Sequence, residues 1–351
     1  MFEELKSLQP DPILGLIAAH NADPNPRKVD LGVGVYRDAS GKSPVLGAVK
    51  RAEAWLLELQ QSKAYIGPAG SPDFNAAVQG LLLGPAHELF GDGRVTSVQT
   101  PGGCGALRAG ADLIKRASPD ATIWVSDPTW ANHMPLLGSA GLTIRQYPYF
   151  DYADKSLRFD EMMSALSGAR AGDVVLLHAC CHNPCGSDPD LSQWRELARL
   201  CSDRGLLPFV DTAYQGFGQG VDEDVAGLRL VVSAVPEALV AVSFSKNFGL
   251  YRDRTGCLAV VAANAEQAER TRNQVGNVVR GLWSMPPDHG AAVVARVLGD
   301  AELRSQWEVE VTAMRERINA LRIRLVHGLA DRGAGDFSYI TRQRGMCSYL
   351  G

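Results

Sequence analysis

Five short apolar runs, most of them separated by stretches of helical periodicity, restrict this chain more than any other feature. They are TIWVSDP (122–128), DVVLLHACC (173–181), LLPFVDTAY (206–214), ALVAVSFS (238–245) and CLAVVAA (257–263). Each is long enough for a strand and too short for most helices. A near-continuous apolar run, rather than strict alternation, is what a strand covered on both faces requires. Between two of them, LSQWRELARLCSDRG (191–205) has helical spacing and a glycine where a helix would end. Strands alternating with helices predict an α/β chain with a largely parallel sheet between helical layers. In such sheets ligands bind beyond the carboxyl ends of the strands. The polar residues that close the runs are therefore the candidates for function.

The two ends of the chain read differently. Residues 1–44 are rich in Pro, Asp and Gly and contain VDLGVGVYRD (29–38). From about residue 291 the pattern is helical, notably over 305–333, and FSYI (337–340) and GMCSYLG (345–351) look strand-like at the close. The division predicts a large domain over 45–313 and a smaller α+β domain built from 1–44 with 314–351.

Composition narrows the function classes. With 351 residues, 46% of them apolar and 21% charged, the chain is an ordinary globular one with a sizeable core. A net charge of −4 argues against a nucleic-acid partner held mainly by electrostatics. Glu3 and Glu4 stand where a secretory leader needs positive charge, and no run is long enough to span a membrane. A cytoplasmic location is expected. Seven cysteines, an odd number, do not suggest a disulfide framework. The cluster CCHNPC (180–185) invites a metal reading, but adjacent cysteines do not readily share one ion and no second cluster of zinc spacing exists. Buried small hydrophobes are the preferred reading, with no metal site.

Five strand ends carry candidate chemistry. VTSVQTPGGCGALRAGADLIKRA (95–117) reads as strand, glycine-rich turn and helix. Gly102, Gly103 and Gly105 permit a close backbone approach, and the helix start offers free N–H groups to an anion. The motif matches neither the dinucleotide fingerprint nor the P-loop, so a nicotinamide-dependent dehydrogenase is disfavoured. A plain structural turn is the competing reading. Asp211 closes one run, either as a helix cap or as partner of a cationic ring nitrogen, with Tyr214 one turn on. Asn183 closes another, either as a turn residue or as a ligand contact. SDPTWANH (126–133) supplies Trp130 as a stacking face, and His133 as at most a supporting group. SFSKNFGLYRDR (243–254) places the Lys246 amine among Ser243, Ser245 and Arg254. One cofactor uses all of these groups: pyridoxal phosphate, with a phosphate, a basic ring nitrogen, a phenolic oxygen and an aldehyde.

The ordered set LGVGVYRD, TPGGCGALR, SDPTWANH, CCHNPCG, AYQGFG, SFSKNFGLYRDRTG and PPDHGAAVVA resembles the class I aminotransferases, in particular the aspartate and aromatic amino-acid subgroup, over nearly the whole chain. The resemblance implies the fold of type I pyridoxal-phosphate-dependent transferases and a homodimer with shared active sites. It implies ping-pong transfer of an amino group from aspartate or an aromatic amino acid to a 2-oxo acid such as 2-oxoglutarate. Lys246 would form the Schiff base and shuttle the proton. Asp211 would hold the ring nitrogen protonated, and Tyr214 and Asn183 would meet the phenolic oxygen. Trp130 would stack on the ring and join the substrate site. Gly103, Cys104, Ser243, Ser245 and Arg254 would bind the phosphate, together with Tyr65 from the other subunit. Gly34 would line the substrate pocket, and Arg280 would reach the distal carboxylate from the partner.

The sequence departs from the family pattern in three places. Cys104 and Cys185 stand where a hydroxyl residue is usual, and Leu282 and Trp283 make a pocket wall more apolar. The chain closes at GMCSYLG (345–351), before the family's arginine for the substrate α-carboxylate. That last departure supports an alternative expectation: a shortened chain that binds the cofactor, transaminates poorly and leaves apolar surface uncovered.

Overall fold

The computed structural model describes residues 2–6, 12–29 and 34–348. Residues 30–33 of the VDLGVGVYRD stretch and the terminal 349–351 lie outside the described residues. Helices α1 (Pro12–Ala22), α2 (Gly47–Leu59) and α3 (Pro72–Leu83) precede the sheet. Then come β1 (Val95–Pro101), α4 (Gly102–Ala117), β2 (Thr122–Asp127), α5 (His133–Ser139) and β3 (Thr143–Pro148). A small ribbon of β4 (Phe150–Asp151) and β5 (Ser156–Leu157) leads to α6 (Phe159–Ser167) and β6 (Val174–His178). The chain continues through α7 (Leu191–Arg204), β7 (Leu207–Thr212), α8 (Ala226–Ala234), β8 (Ala238–Ser243) and β9 (Thr255–Val261). It closes with α9 (Ala265–Leu282), α10 (His289–Gly299) and α11 (Ala301–Ala330).

The main sheet has seven strands in the order β1-β9-β8-β7-β6-β2-β3. Only β9 runs antiparallel to its neighbours β1 and β8; the other pairs in the sheet are parallel. All five apolar runs are strands of this sheet, with ends within a few residues of the expected ones. Their side chains divide between two cores by the two-residue period of a strand. On β8, Leu239 and Ala241 enter the core under α4 and α9, whereas Val240 and Val242 enter the larger core with α3 and α10. Covered on both faces, each strand reads as a continuous apolar run. Helix α7 starts and stops as its sequence dictates. Asp190 forms a capping box with Gln193, and Gly205 ends the helix at φ 62°.

Two expectations about the chain end need correction. FSYI does not form a strand. Residues Ser338–Arg342 are a short 3-10 turn, opened by Asp336 accepting from the Ser338 N–H at 2.8 Å. Tyr339 and Ile340 are both buried, which a strand with alternating faces would not achieve against one helix. Residues 345–348 are irregular rather than strand-like. Among the described residues of 1–44 and 314–348 there is no strand.

The topology gathers the candidate residues. The parallel strands β1, β2, β6, β7 and β8 deliver Gly102, Trp130, Asn183, Asp211 and Lys246 at or just past their carboxyl ends. Antiparallel β9 starts at that same edge, with Pro101 opposite Thr255 and Ser243 opposite Gly256. Arg254, the residue before β9, is thereby set beside the start of α4.

Candidate active site

A cavity of about 560 Å³ opens at this edge. It is lined by Gly103, Cys104, Trp130, Asn183, Asp211, Tyr214, Ser243, Ser245, Lys246 and Arg254, with Gly34 at its rim.

One wall is a cup for an anion. Gly102 takes φ +72°, and a Cβ there would lie 2.6 Å from Arg254 Nη2. A Cβ on Gly103 would lie 3.0 Å from the Cβ of Ser243. Both glycines therefore let the first turn of a 16-residue helix sit against a guanidinium and a serine. The N–H groups of that turn have no partner within the helix and carry its positive end. Arg254 is itself in a left-handed conformation at φ +53°, and its Nη1 donates to Tyr251 O at 3.0 Å and Ser245 Oγ at 3.4 Å. Cys104 places a thiol where a hydroxyl would add a donor; its sulfur accepts from Asn132 Nδ2 at 3.8 Å.

The opposite wall carries the carboxylate. Asp211 is no helix cap, because β7 runs on into a turn rather than a helix. Its Oδ2 lies 3.3 Å from His133 Nε2, and both residues are buried. His133 Nδ1 is 2.8 Å from Thr129 Oγ1, which lies 3.4 Å from His178 Nε2. His178 Nδ1 accepts from the Asn183 N–H at 3.4 Å. That last donor fixes the whole relay. His178 Nε2–H donates to Thr129, Thr129 O–H donates to His133 Nδ1, and His133 Nε2–H donates to Asp211. Asp211 is left as a pure acceptor. Burial works against its charge, but the His133 hydrogen bond and the nearby Lys246 amine hold its carboxyl below the ordinary value. The charge of His178 adds little near neutral pH, because burial and His133 press its pKa to about 3.

The amine completes the constellation. Lys246 sits on a turn anchored from beneath. Phe244 and Phe248 are buried and meet edge to face, Phe248 stacks on Trp307 at 4.7 Å, and Trp307 Nε1 donates to Asn247 O at 2.8 Å. Among the described residues, the Lys246 amine makes no hydrogen bond or ion pair. It lies over the Tyr214 ring, 4.9 Å from the centroid. Burial lowers its pKa, opposed in part by Asp211. Tyr214 is buried, and its phenol is pushed well above the ordinary value by burial, with Cys347 and Asp211 adding to the rise. It stays protonated near neutral pH and able to donate.

Tyr65 and Arg280 do not line the cavity of their own chain. Tyr65 is 89% exposed. Arg280 lies at the exposed end of α9, where it donates to Ser284. Leu282 and Trp283 do not form a wall of this cavity either; Trp283 packs partly buried against the core that includes Val275 and Val279. Among the lining residues that sequence reasoning missed are Tyr251, Met346, Cys347 and Ser348. Tyr251 follows Lys246 closely, and its hydroxyl accepts from the Tyr36 N–H at 2.9 Å, so proximity to the lysine was an available signal. The other three arrive from the chain end through long-range contacts.

Cys180, Cys181 and Asp224 bring their donor atoms within 4.8 Å of one another. The Asp224 carboxylate already accepts from the N–H groups of Gly216, Gly218, Gln219 and Gly220. Those bonds occupy the lone pairs that a cation would need.

The buried histidines make an acid-stability prediction. His178 is held near 3 and His182 well below its ordinary value, both mainly by burial. The folded state therefore binds fewer protons than the unfolded chain between those values and about 6.5, and stability is lost as pH falls through that window. His178 alone accounts for a slope of ~1.4 kcal/mol per pH unit below about 6.5. Urea unfolding at pH 7, 6 and 5 is expected to show the decline. A flat profile would mean that these imidazoles are charged in the folded protein.

The cavity combines an anion cup, a carboxylate held anionic, a protonated phenol and an amine with no hydrogen bond or ion pair among the described residues. A Cβ at Gly102 or Gly103 would crowd the cup, so its shape depends on glycine. This donor set fits a phosphorylated pyridine aldehyde.

Comparison with known proteins agrees. The family model described as aminotransferase class I and II matches residues 26–351. The aspartate aminotransferase of Escherichia coli (strain K12) is 47% identical over 352 aligned residues, which cover 100% of this chain and 89% of that protein. The tyrosine aminotransferase of Rhizobium meliloti (strain 1021) is 50% identical over 350, covering 100% of this chain and 89% of that protein. A crystal structure of the aromatic-amino-acid aminotransferase of Burkholderia pseudomallei, covalently bound to pyridoxal phosphate, superposes with a TM-score of 0.97 at 44% identity, covering 99% of this chain and 88% of that one.

Proposed function

The chain belongs to the aminotransferase class I and II family, and from that membership we propose the substrates and the residue roles of its pyridoxal-phosphate-dependent amino-group transfer. The donors are aspartate or an aromatic amino acid, and the acceptor is a 2-oxo acid such as 2-oxoglutarate, in two ping-pong half-reactions. Relatives named for aspartate, tyrosine and aromatic amino acids, at closely similar identities, support both donor classes.

When bound, pyridoxal phosphate supplies an aldehyde for amino groups and a pyridinium ring that draws electrons from the substrate α-carbon. The start of α4 with Gly103, Cys104, Ser243, Ser245 and Arg254 would hold the phosphate. Asp211, kept anionic with help from the His133 hydrogen bond, would accept from a ring N–H and so keep the proton on that nitrogen. Tyr214 and Asn183 address the phenolic oxygen. Trp130 covers a ring face and, with Gly34 and Asn183, borders the substrate. Lys246 would anchor the aldehyde and would move a proton at the substrate α-carbon; its lowered basicity suits an acid-base role near neutral pH.

We further propose a homodimer in which Tyr65 and Arg280 serve the neighbouring subunit's site. Both lie outside their own cavity, and Trp55, Leu57 and Leu59 are exposed on or at the end of α2 near Tyr65. The domain division at 45–313 against 1–44 with 314–351 belongs to the same proposal, with α11 crossing it. A cytoplasmic location completes it; among the described residues no helix is long and apolar enough to cross a membrane. Matches to named aminotransferases that span all of this chain and 89% of each relative favour turnover over a binding-only chain.

The observation that carries this reading is a Lys246 amine without hydrogen bond or ion pair among the described residues, in one cavity with Asp211 and the anion cup. The test is a visible spectrum of the purified protein with pyridoxal phosphate, before and after aspartate or phenylalanine. A lysine-linked band that converts to the pyridoxamine form is expected. A band that ignores both amino acids would leave cofactor binding standing and overturn the substrate assignment.

A further inference from the structure

Arg322 lies on α11, is only 6% exposed, and forms no ion pair among the described residues. Its guanidinium is spent on one short segment of the chain end. Nη2 donates to the carbonyl of Gly345 and, at 3.0 Å, to that of Cys347. Nε donates to Ser348 Oγ at 3.0 Å, and Nη1 returns to Asn319 Oδ1 on its own helix at 3.1 Å. Burying a guanidinium without a carboxylate is unfavourable, so a hydrophobic residue would serve simple packing better. A rigid fork of donors does what an apolar residue cannot: it specifies one conformation for an irregular segment.

That segment is a wall of the cavity. Met346, Cys347 and Ser348 line it, and the Cys347 thiol is within hydrogen-bonding reach of the Tyr214 phenol. It also abuts the loop that presents Asn183. Arg344 N donates to Gly186 O at 2.7 Å, and a Cβ on Gly345 would lie 2.4 Å from the Cβ of Cys181. Gly345 takes φ +78°, so the approach depends on glycine.

We propose that Arg322 is a positioning residue for the active site: by gripping residues 345–348 from α11 it fixes the wall that faces Tyr214 and braces the Asn183 loop. The catalytic consequence rests on the function proposed above; the structural one does not. Arg322 touches neither cofactor nor substrate. It acts through the segment it holds.

The test uses cofactor-free and cofactor-loaded protein with Arg322→Met and Arg322→Lys. In the cofactor-free protein, maleimide labelling is followed at individual cysteines by peptide mass mapping. Cys347 is expected to label at least about 10-fold faster in R322M, as loss of a buried set of hydrogen bonds frees the segment. Cys104, on the far wall and held by α4, is expected to label at the wild-type rate, as are the deeply buried Cys201 and Cys257. R322K, which keeps the charge without the fork, is expected to fall between. In the loaded protein, KM for the amino acid is expected to rise about 10-fold or more in R322M, beyond any fall in kcat, while the visible band persists. Uniformly faster labelling at all four cysteines would make Arg322 a general stabiliser and overturn the proposal. So would a folded R322M whose Cys347 labelling matches wild type. If wild type forms no visible band, the proposed function fails, and the labelling still decides the role of Arg322.

Discussion

Replacing Lys246 by alanine is expected to lower kcat by about 10⁴-fold or more, because the proposed function assigns to one side chain both the covalent anchor and the acid-base group. The lysine-linked visible band should vanish. Cofactor binding should persist at reduced affinity, since the phosphate cup and Asp211 are untouched. Lys246→Arg is the informative companion. It keeps a positive charge in a cavity that already holds Arg254, but a guanidinium does not release its proton near neutral pH. If charge were the contribution of Lys246, arginine would rescue; if proton transfer is, arginine should be as poor as alanine. Steady-state rates with aspartate and 2-oxoglutarate decide this. Activity of K246A within about 10-fold of wild type would remove the lysine from the chemistry.

Asp211→Asn is the second large effect, expected to cut kcat by about 10³-fold. The substitution preserves shape and removes the charge. The relay from the Asn183 N–H through His178, Thr129 and His133 delivers an N–H to position 211. An asparagine that turns its oxygen to His133 leaves its NH₂ group facing the ring nitrogen, donor against donor. One that turns the other way breaks the relay. Neither arrangement holds a proton on the ring. Asp211→Glu keeps the charge and should recover part of the loss. Near-wild-type turnover of D211N would show that the ring proton does not matter here.

Much of this architecture was legible in the sequence, for one physical reason. Strands covered on both faces must be apolar throughout, so TIWVSDP and ALVAVSFS announce themselves, and the polar residue that ends each marks the binding edge. The residues brought together around Lys246 were reachable by that logic, and the ordered motifs supplied a family. The direction of β9 was also implicit. No helix lies between Lys246 and Thr255, and a parallel crossover needs one in most cases. Other features were not local. The Asp211 relay joins three strand ends and cannot be read from any one of them. Tyr339 and Ile340 form an apolar pair that looks like part of a strand until α11 is present to bury both. Met346, Cys347 and Ser348 reach the cavity on a segment that Arg322 of α11 hydrogen-bonds, a contact between distant parts of the chain.

The single reversed strand has a consequence for how the protein matures. The anion cup takes its parts from the end of β1, the end of β8 and the residue before β9, and they meet only when Pro101 pairs with Thr255 and Ser243 with Gly256. Of these pairings the first joins distant parts of the chain and carries the larger loop-closure cost, so it belongs to the slow part of sheet assembly. No partly folded chain lacking them has a complete phosphate site. Cofactor capture is thus a proofreading signal: only molecules with the β1-β9-β8 edge in register take it up, and uptake then draws the population toward that register by mass action.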